Sequence, residues 1–96
     1  VNLIDISLGG VKVSHSADFD FNEGDMVKVM LLIDKKPFEL DARVIRTWYP
    51  SDYRFYQAIR YTALEFLGMT MKVHNILSRK LIDIQRYIRY KELFNA

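Results

Sequence analysis

The stretch Leu3-Ile4-Asp5-Ile6-Ser7-Leu8-Gly9-Gly10-Val11-Lys12-Val13 decides how the chain is read. Apolar and polar residues alternate from Leu3 to Leu8, the pattern of a half-buried strand. Side chains two apart on a strand share a face, so Asp5 and Ser7 are expected to point the same way, roughly 6.5 Å apart. Ile4, Ile6 and Leu8 then turn toward a core. Gly9-Gly10 ends the run with a turn that takes positive φ and lets a ligand approach bare backbone. Val11 to Val13 resumes the alternation after the turn. A carboxylate that only accepts, a hydroxyl and open backbone on one face can read a planar, donor-rich group such as the edge of guanine. The chemistry of this stretch is that of binding. The competing reading gives Asp5 and Ser7 to the glycine amides that follow them, as groups that hold a turn.

Working outward, Ser14 to Gly24 is polar and acidic, and reads as a connecting segment whose Phe19 and Phe21 cover the core. Asp18-x-Asp20-x-Asn22 invites comparison with a calcium loop, but Glu23 stands where glycine is required and Val29 where a bidentate carboxylate is required. Met26 to Ile33 reads as a strand, Asp34-Lys35-Lys36-Pro37 as a turn, and Phe38 to Trp48 as a second strand with Phe38, Leu40, Ala42 and Val44 on one face. The alternation slips at Val44-Ile45, which places a bulge or barrel corner there. Tyr49-Pro50-Ser51-Asp52 closes a hairpin or short loop. A further strand follows between Tyr53 and Phe66, with Phe55, Gln57, Ile59 and Tyr61 on one face. Closely spaced antiparallel strands imply a sandwich or barrel.

After Gly68 the period changes. Thr70 is placed as an N-cap. Val73, Ile76, Leu77, Leu81, Ile84 and Ile88 recur at steps of three and four, one apolar stripe of a helix. From Met71 to Phe94 such a helix would run about 36 Å, more than a small barrel needs, so the end carrying Tyr87, Tyr90, Leu93 and Phe94 is expected to overhang. Leu77, Leu81, Ile84 and Ile88 also have coiled-coil spacing over barely two heptads. Packing on the chain's own strands is favoured over dimerisation through the overhang.

The pattern Asp5-x-Ser7-x-x-Gly10 resembles the second signature of the PilZ family, (Asp/Asn)-x-Ser-x-x-Gly. Gly24 before Met26 to Leu32, then Ala42-Arg43-Val44-Ile45-Arg46, Ala63-Leu64-Glu65-Phe66 and the terminal helix, follow in the order the family shows. The resemblance implies a small antiparallel β-barrel of about six strands in residues 1–68 and one long amphipathic helix over 69–95, together a single domain. It also implies a receptor for the bacterial messenger cyclic di-GMP, with Asp5 and Ser7 on guanine and the Gly9-Gly10 backbone admitting the ligand. The family's first signature, Arg-x-x-x-Arg, stacks on guanine and clamps phosphates. No two of the seven arginines here have that spacing, and four residues precede Asp5, so those arginines are expected from an upstream segment. Where Ala63 stands the family commonly has glycine, and Ala58-Ile59-Arg60-Tyr61 offers an alternative alignment.

Composition bounds the remaining possibilities. Ninety-six residues suit one modest core, and half of them are hydrophobic. Without cysteine there is neither a disulfide framework nor a zinc-thiolate site, and a cytoplasmic location is expected. No apolar run approaches the roughly 18 residues that cross a bilayer. The net charge of +2 is too small to argue for nucleic acid. It is unevenly spread: residues 1–41 hold four lysines and eight acids, while 42–96 hold seven arginines and three lysines against four acids. Arg86-Tyr87-Ile88-Arg89-Tyr90-Lys91 interleaves basic and aromatic groups as single-strand binders do, but an amphipathic helix docking on protein explains it as well. Arg46 beside Trp48 could offer a stacking surface, against the alternative of a core plug.

His15 and His74 have no metal-ligand spacing, no nucleophile elbow surrounds Ser7, and no Walker loop or dinucleotide fingerprint occurs. The chain is expected not to be an enzyme and to need no cofactor. Two functions remain in front. One is a cyclic di-GMP receptor. The other is a PilZ-like module without ligand that meets a protein partner, or a second copy of itself, through the long helix.

Overall fold

The computed structural model describes residues 1–19, 21–49 and 58–95, and for 91–95 the backbone path alone. Five antiparallel strands and one helix are present among them: β1 Asn2–Ile6, β2 Gly10–Ser16, β3 Met26–Ile33, β4 Lys36–Trp48, β5 Ile59–Leu67 and α1 Met71–Asn95. The sheet order is β1-β2-β5-β4-β3, a curled half-barrel with β1 and β3 at its edges. The expected β-barrel with its C-terminal helix is therefore present, with five strands where about six were expected.

The inner face follows from the alternation. Val11 and Val13 on β2, Leu40, Ala42 and Val44 on β4, and Leu64 and Phe66 on β5 are all buried, as is Ile6 of β1. The expected slip in β4 is real: Val44 pairs with Leu64 and Arg46 with Ala63, so Ile45 is the extra residue of a bulge. On β5 the face opposite Ile59 and Tyr61 is the one that turns inward. Thr62, Leu64 and Phe66 are buried, whereas Ile59 is exposed, because β5 lies between β2 and β4 and its even-numbered residues meet their inward side chains. The proposed extension of this strand through Tyr53, Phe55 and Gln57, and the turn at Pro50–Asp52, lie outside the described residues.

The β3–β4 turn is tighter than expected. Ile33 pairs with Lys36, leaving two residues, Asp34 and Lys35, with φ of 52° and 66°. Positive φ at both central positions matches the right-handed twist of a two-residue hairpin. Lys28 on the outer surface reaches Asp41 at 2.8 Å and Glu39 at 3.4 Å, and the hydrogen bond to Asp41 does most to hold its ammonium above the ordinary lysine range.

The helix begins as expected. Val73 N–H donates to Thr70 Oγ1 at 3.3 Å, an N-cap bond. Leu77 has no exposed surface, and Val73, Ile76, Leu81, Ile84 and Ile88 pack beside it on the core of the sheet. The apolar stripe thus covers the half-barrel's own concave face. Two polar contacts tie α1 to opposite edges. Lys80 Nζ meets Asp34 of the β3–β4 turn at 3.0 Å, and Gln85 Nε2 donates to the Ile6 carbonyl of β1 at 2.9 Å. The side chains of Leu93 and Phe94, on which the expected overhang partly rests, lie outside the described residues.

Candidate functional site

The Leu3–Val13 stretch forms a hairpin, but the strand ends sooner than the alternation suggested. Leu3 pairs with Val13, Asp5 with Lys12 and Ile6 with Val11, so Ile4 is a bulge residue. That extra residue keeps Asp5 outward and Ile6 inward. Ser7 to Gly9 leave the ladder. Leu8, expected in the core, is exposed at the turn, and Ile4 is only half-buried. Asp5 and Ser7 are therefore not i and i+2 on one regular strand. The turn brings both to one recess all the same.

That turn is held by its own polar groups. Ser7 N–H donates to the Gly10 carbonyl at 2.9 Å, and Gly9 N–H donates to Ser7 Oγ at 3.2 Å. Asp5 Oδ1 accepts the Ile6 N–H at 2.9 Å. Phe66 N–H donates to the Gly9 carbonyl at 2.9 Å, anchoring the turn on β5. So Ser7 does hold the turn, as the competing reading expected. Both Asp5 and Ser7 remain exposed, and a carboxylate and a hydroxyl have acceptor capacity beyond these single bonds.

The two glycines differ in kind. Positive φ was expected here, yet among the glycines it occurs at Gly24 and Gly68. Gly10 is required by space instead: a Cβ there would stand 2.1 Å from the Leu64 carbonyl oxygen. Gly9 has nothing nearer than Ser7 Oγ at 3.9 Å.

Asp5, Ser7 and Gly10 line one open depression of about 260 Å³ with Lys12 and Ala63. Its floor follows from sheet register. Asp5 faces Lys12, Lys12 faces Ala63, and Ala63 faces Arg46, so four strands contribute one outward row. Ala63 is the short member between two long cations, and with Gly10 it leaves the space open. Of the two alignments considered, Ala63 stands at the recess, whereas Ala58 precedes β5 and gives its carbonyl to Ala17 N–H at 2.9 Å. Arg46 lies over the Trp48 ring at 4.6 Å, and Trp48 meets Tyr61 edge-on at 5.8 Å. Trp48 is thus half-buried and already stacked upon.

A second polar cluster was missed by sequence reasoning. His15, which has no metal-ligand spacing in the sequence, is buried. Its Nδ1 is 2.8 Å from the Ser16 carbonyl, which only accepts, so the ring proton of this bond sits on Nδ1. Nε2 lies 2.6 Å from Thr62 Oγ1, whose neighbour is the Thr47 hydroxyl at 3.4 Å. Phe21 packs edge-on against the ring at 4.9 Å, and Phe19 stacks on Phe21 while remaining half-exposed. Phe21 covers the core as expected. The signal was available: Val11, Val13 and His15 share one strand face.

Among the described residues, no three His, Asp or Glu side chains gather as a metal would need. Asp20 of the calcium-like pattern lies outside them.

A family model described as PilZ domain matches residues 1–83. The chain belongs to the PilZ family. Searches of the curated proteins and of the solved structures returned no match. PilZ domains are in general cyclic di-GMP-binding signalling domains, and they are binding and effector domains rather than typical catalysts. No helix among the described residues is long and apolar enough to cross a membrane.

Proposed function

We propose that this PilZ domain is a cyclic di-GMP receptor that reads guanine at the Asp5–Ser7–Gly10 recess. The observation that carries the reading is the convergence of the three signature positions on one open depression, floored by Ala63. Asp5 offers carboxylate oxygens to the N–H groups of a guanine edge, and Ser7 adds a hydroxyl that both accepts and donates. Gly10 and Ala63 keep the floor low enough for a flat ring to approach the backbone. Phosphate clamping by an upstream Arg-x-x-x-Arg belongs to the same reading, because paired guanidiniums match phosphate oxygens. Binding would order that segment against the outer face of the sheet.

Calorimetric titration of cyclic di-GMP into the complete natural chain tests this, alongside Asp5→Ala and this 96-residue chain alone. Binding that weakens about tenfold or more in Asp5→Ala supports the receptor, since a charge-assisted hydrogen bond contributes about 1.5–3 kcal/mol. No binding by the complete chain rejects it.

A second reading, a PilZ module without ligand acting through α1, is favoured by one observation: the Ser7 hydroxyl is already occupied in its own turn. Since the apolar stripe of α1 covers the chain's own sheet, such a module would present the opposite, charged face to a protein partner or a second copy. Retained association of the complete chain with unchanged mass distribution in Asp5→Ala would fit it.

A further inference from the structure

Beside the recess lies a second groove, of about 340 Å³, between α1 and edge strand β1. Ile4, Asp5, Lys12, Gln85, Ile88 and Arg89 line it. Asp5 and Lys12 belong to both spaces, so the two meet at one cross-strand pair. The cations come from distant parts of the chain, Lys12 from a strand and Arg89 from the helix. The Gln85 bond to the Ile6 carbonyl, at 2.9 Å, fixes this part of the helix against β1 and so fixes their separation.

The groove's electrostatics point to an anion. Among the described residues, the ion pairs are those of Lys28, Arg43 and Lys80, and neither Lys12 nor Arg89 takes part in one. Asp5 contributes the single carboxylate, one oxygen of which holds the Ile6 N–H. Two cations therefore face one acid across a recess walled by Ile4 and Ile88. A phosphodiester, whose two non-bridging oxygens share one negative charge, matches the groove's single excess positive charge and offers an acceptor to each cation. The adjoining recess accepts N–H donors; this one supplies charged donors. Together they suit a molecule that carries a purine edge and a phosphate.

We infer that the Lys12–Arg89 groove is a phosphate subsite, filled by a phosphodiester of the nucleotide whose base is read at Asp5 and Ser7. This rests on the receptor reading above. It makes α1 part of the binding site: ligand bridges the sheet to the second half of the helix and holds it to β1 more firmly.

The test is calorimetric titration of cyclic di-GMP into the complete natural chain, as wild type, Lys12→Gln, Arg89→Gln and Asp5→Ala, with amide hydrogen exchange along α1. Affinity is expected to fall about tenfold in each glutamine variant, the loss of one charge-assisted bond. Ligand should slow exchange around Gln85 in the wild type and not in Arg89→Gln. Wild-type affinity in both glutamine variants, with loss in Asp5→Ala, overturns the subsite and leaves the receptor standing. If the wild type binds no cyclic di-GMP, the receptor reading fails, and inorganic pyrophosphate followed by side-chain nitrogen NMR decides the groove. Shifts at Arg89 Nε that Lys12→Gln abolishes would then support a phosphate site, and their absence would overturn it. Arg89 is exposed, so its variant should melt as the wild type does and leave the comparison clean.

Discussion

The two ends of β2 both carry a polar cluster, and they treat polarity in opposite ways. At its beginning, Asp5, Ser7, Gly10 and Lys12 surround an open recess. At its end, His15, Thr62 and Thr47 are linked side chain to side chain beneath the aromatic pair Phe19 and Phe21. Water competes for every bond of the first cluster, so its groups keep capacity for a ligand. In the second, each partner lost must leave a buried group unsatisfied, which costs more than the bond itself contributed. One end stays open to solvent, and the other holds β2, β5 and β4 together.

The largest effect is expected where the open end meets the core. Gly10→Ala forces a Cβ to 2.1 Å from the Leu64 carbonyl oxygen, a backbone atom that cannot swing aside. Overpacking of this kind costs about 3 kcal/mol, read as a shift in the urea midpoint. A cost below about 1 kcal/mol would mean that the hairpin slides freely on β5, and the floor of the recess would lose its fixed geometry.

Next comes the buried end. Thr62→Val keeps the shape and removes the hydroxyl that His15 Nε2 faces at 2.6 Å. A destabilisation of about 2 kcal/mol is expected, with no change in ligand affinity. Were affinity to fall instead, the two ends of β2 would be coupled, and the contrast between them would not hold.

Ser7→Ala reverses that pattern. The turn loses one exposed bond, from Gly9 N–H at 3.2 Å, so the stability loss should stay near 0.5 kcal/mol. Cyclic di-GMP affinity should drop by more than stability alone explains. The smallest effect belongs to Gly9→Ala, expected within about 0.5 kcal/mol because that position has open space and no positive φ. Comparing the adjacent alanine substitutions by the same melt separates a glycine needed for close packing from one that is merely tolerated.

Much of the fold was legible because alternation and helical period report directly on which face is buried. Val44-Ile45 announced its bulge by breaking the period, and Thr70 announced a helix start through a side chain suited to capping. The stripe from Val73 to Ile88 named the face that packs on the sheet. Which face of β5 turns inward was not legible, because its neighbours β2 and β4 set it. Leu8 was misplaced because alternation alone does not show where pairing stops. Of the site, Asp5, Ser7 and Gly10 were readable as a short signature. Lys12, Gln85 and Arg89 were not, since their proximity depends on register and on where the helix docks.

By itself, then, the sequence determined a mainly β chain closed by an amphipathic helix, and the polar residue types of its first hairpin. These follow from local rules: period, capping and the donors and acceptors each side chain carries. Tertiary structure alone decided that Gly10 must be glycine, that His15 is buried, and that Arg89 shares a groove with Lys12. Each of those depends on a partner at least 47 residues away along the chain, as His15 is from Thr62, and only sheet register and helix docking bring such partners together.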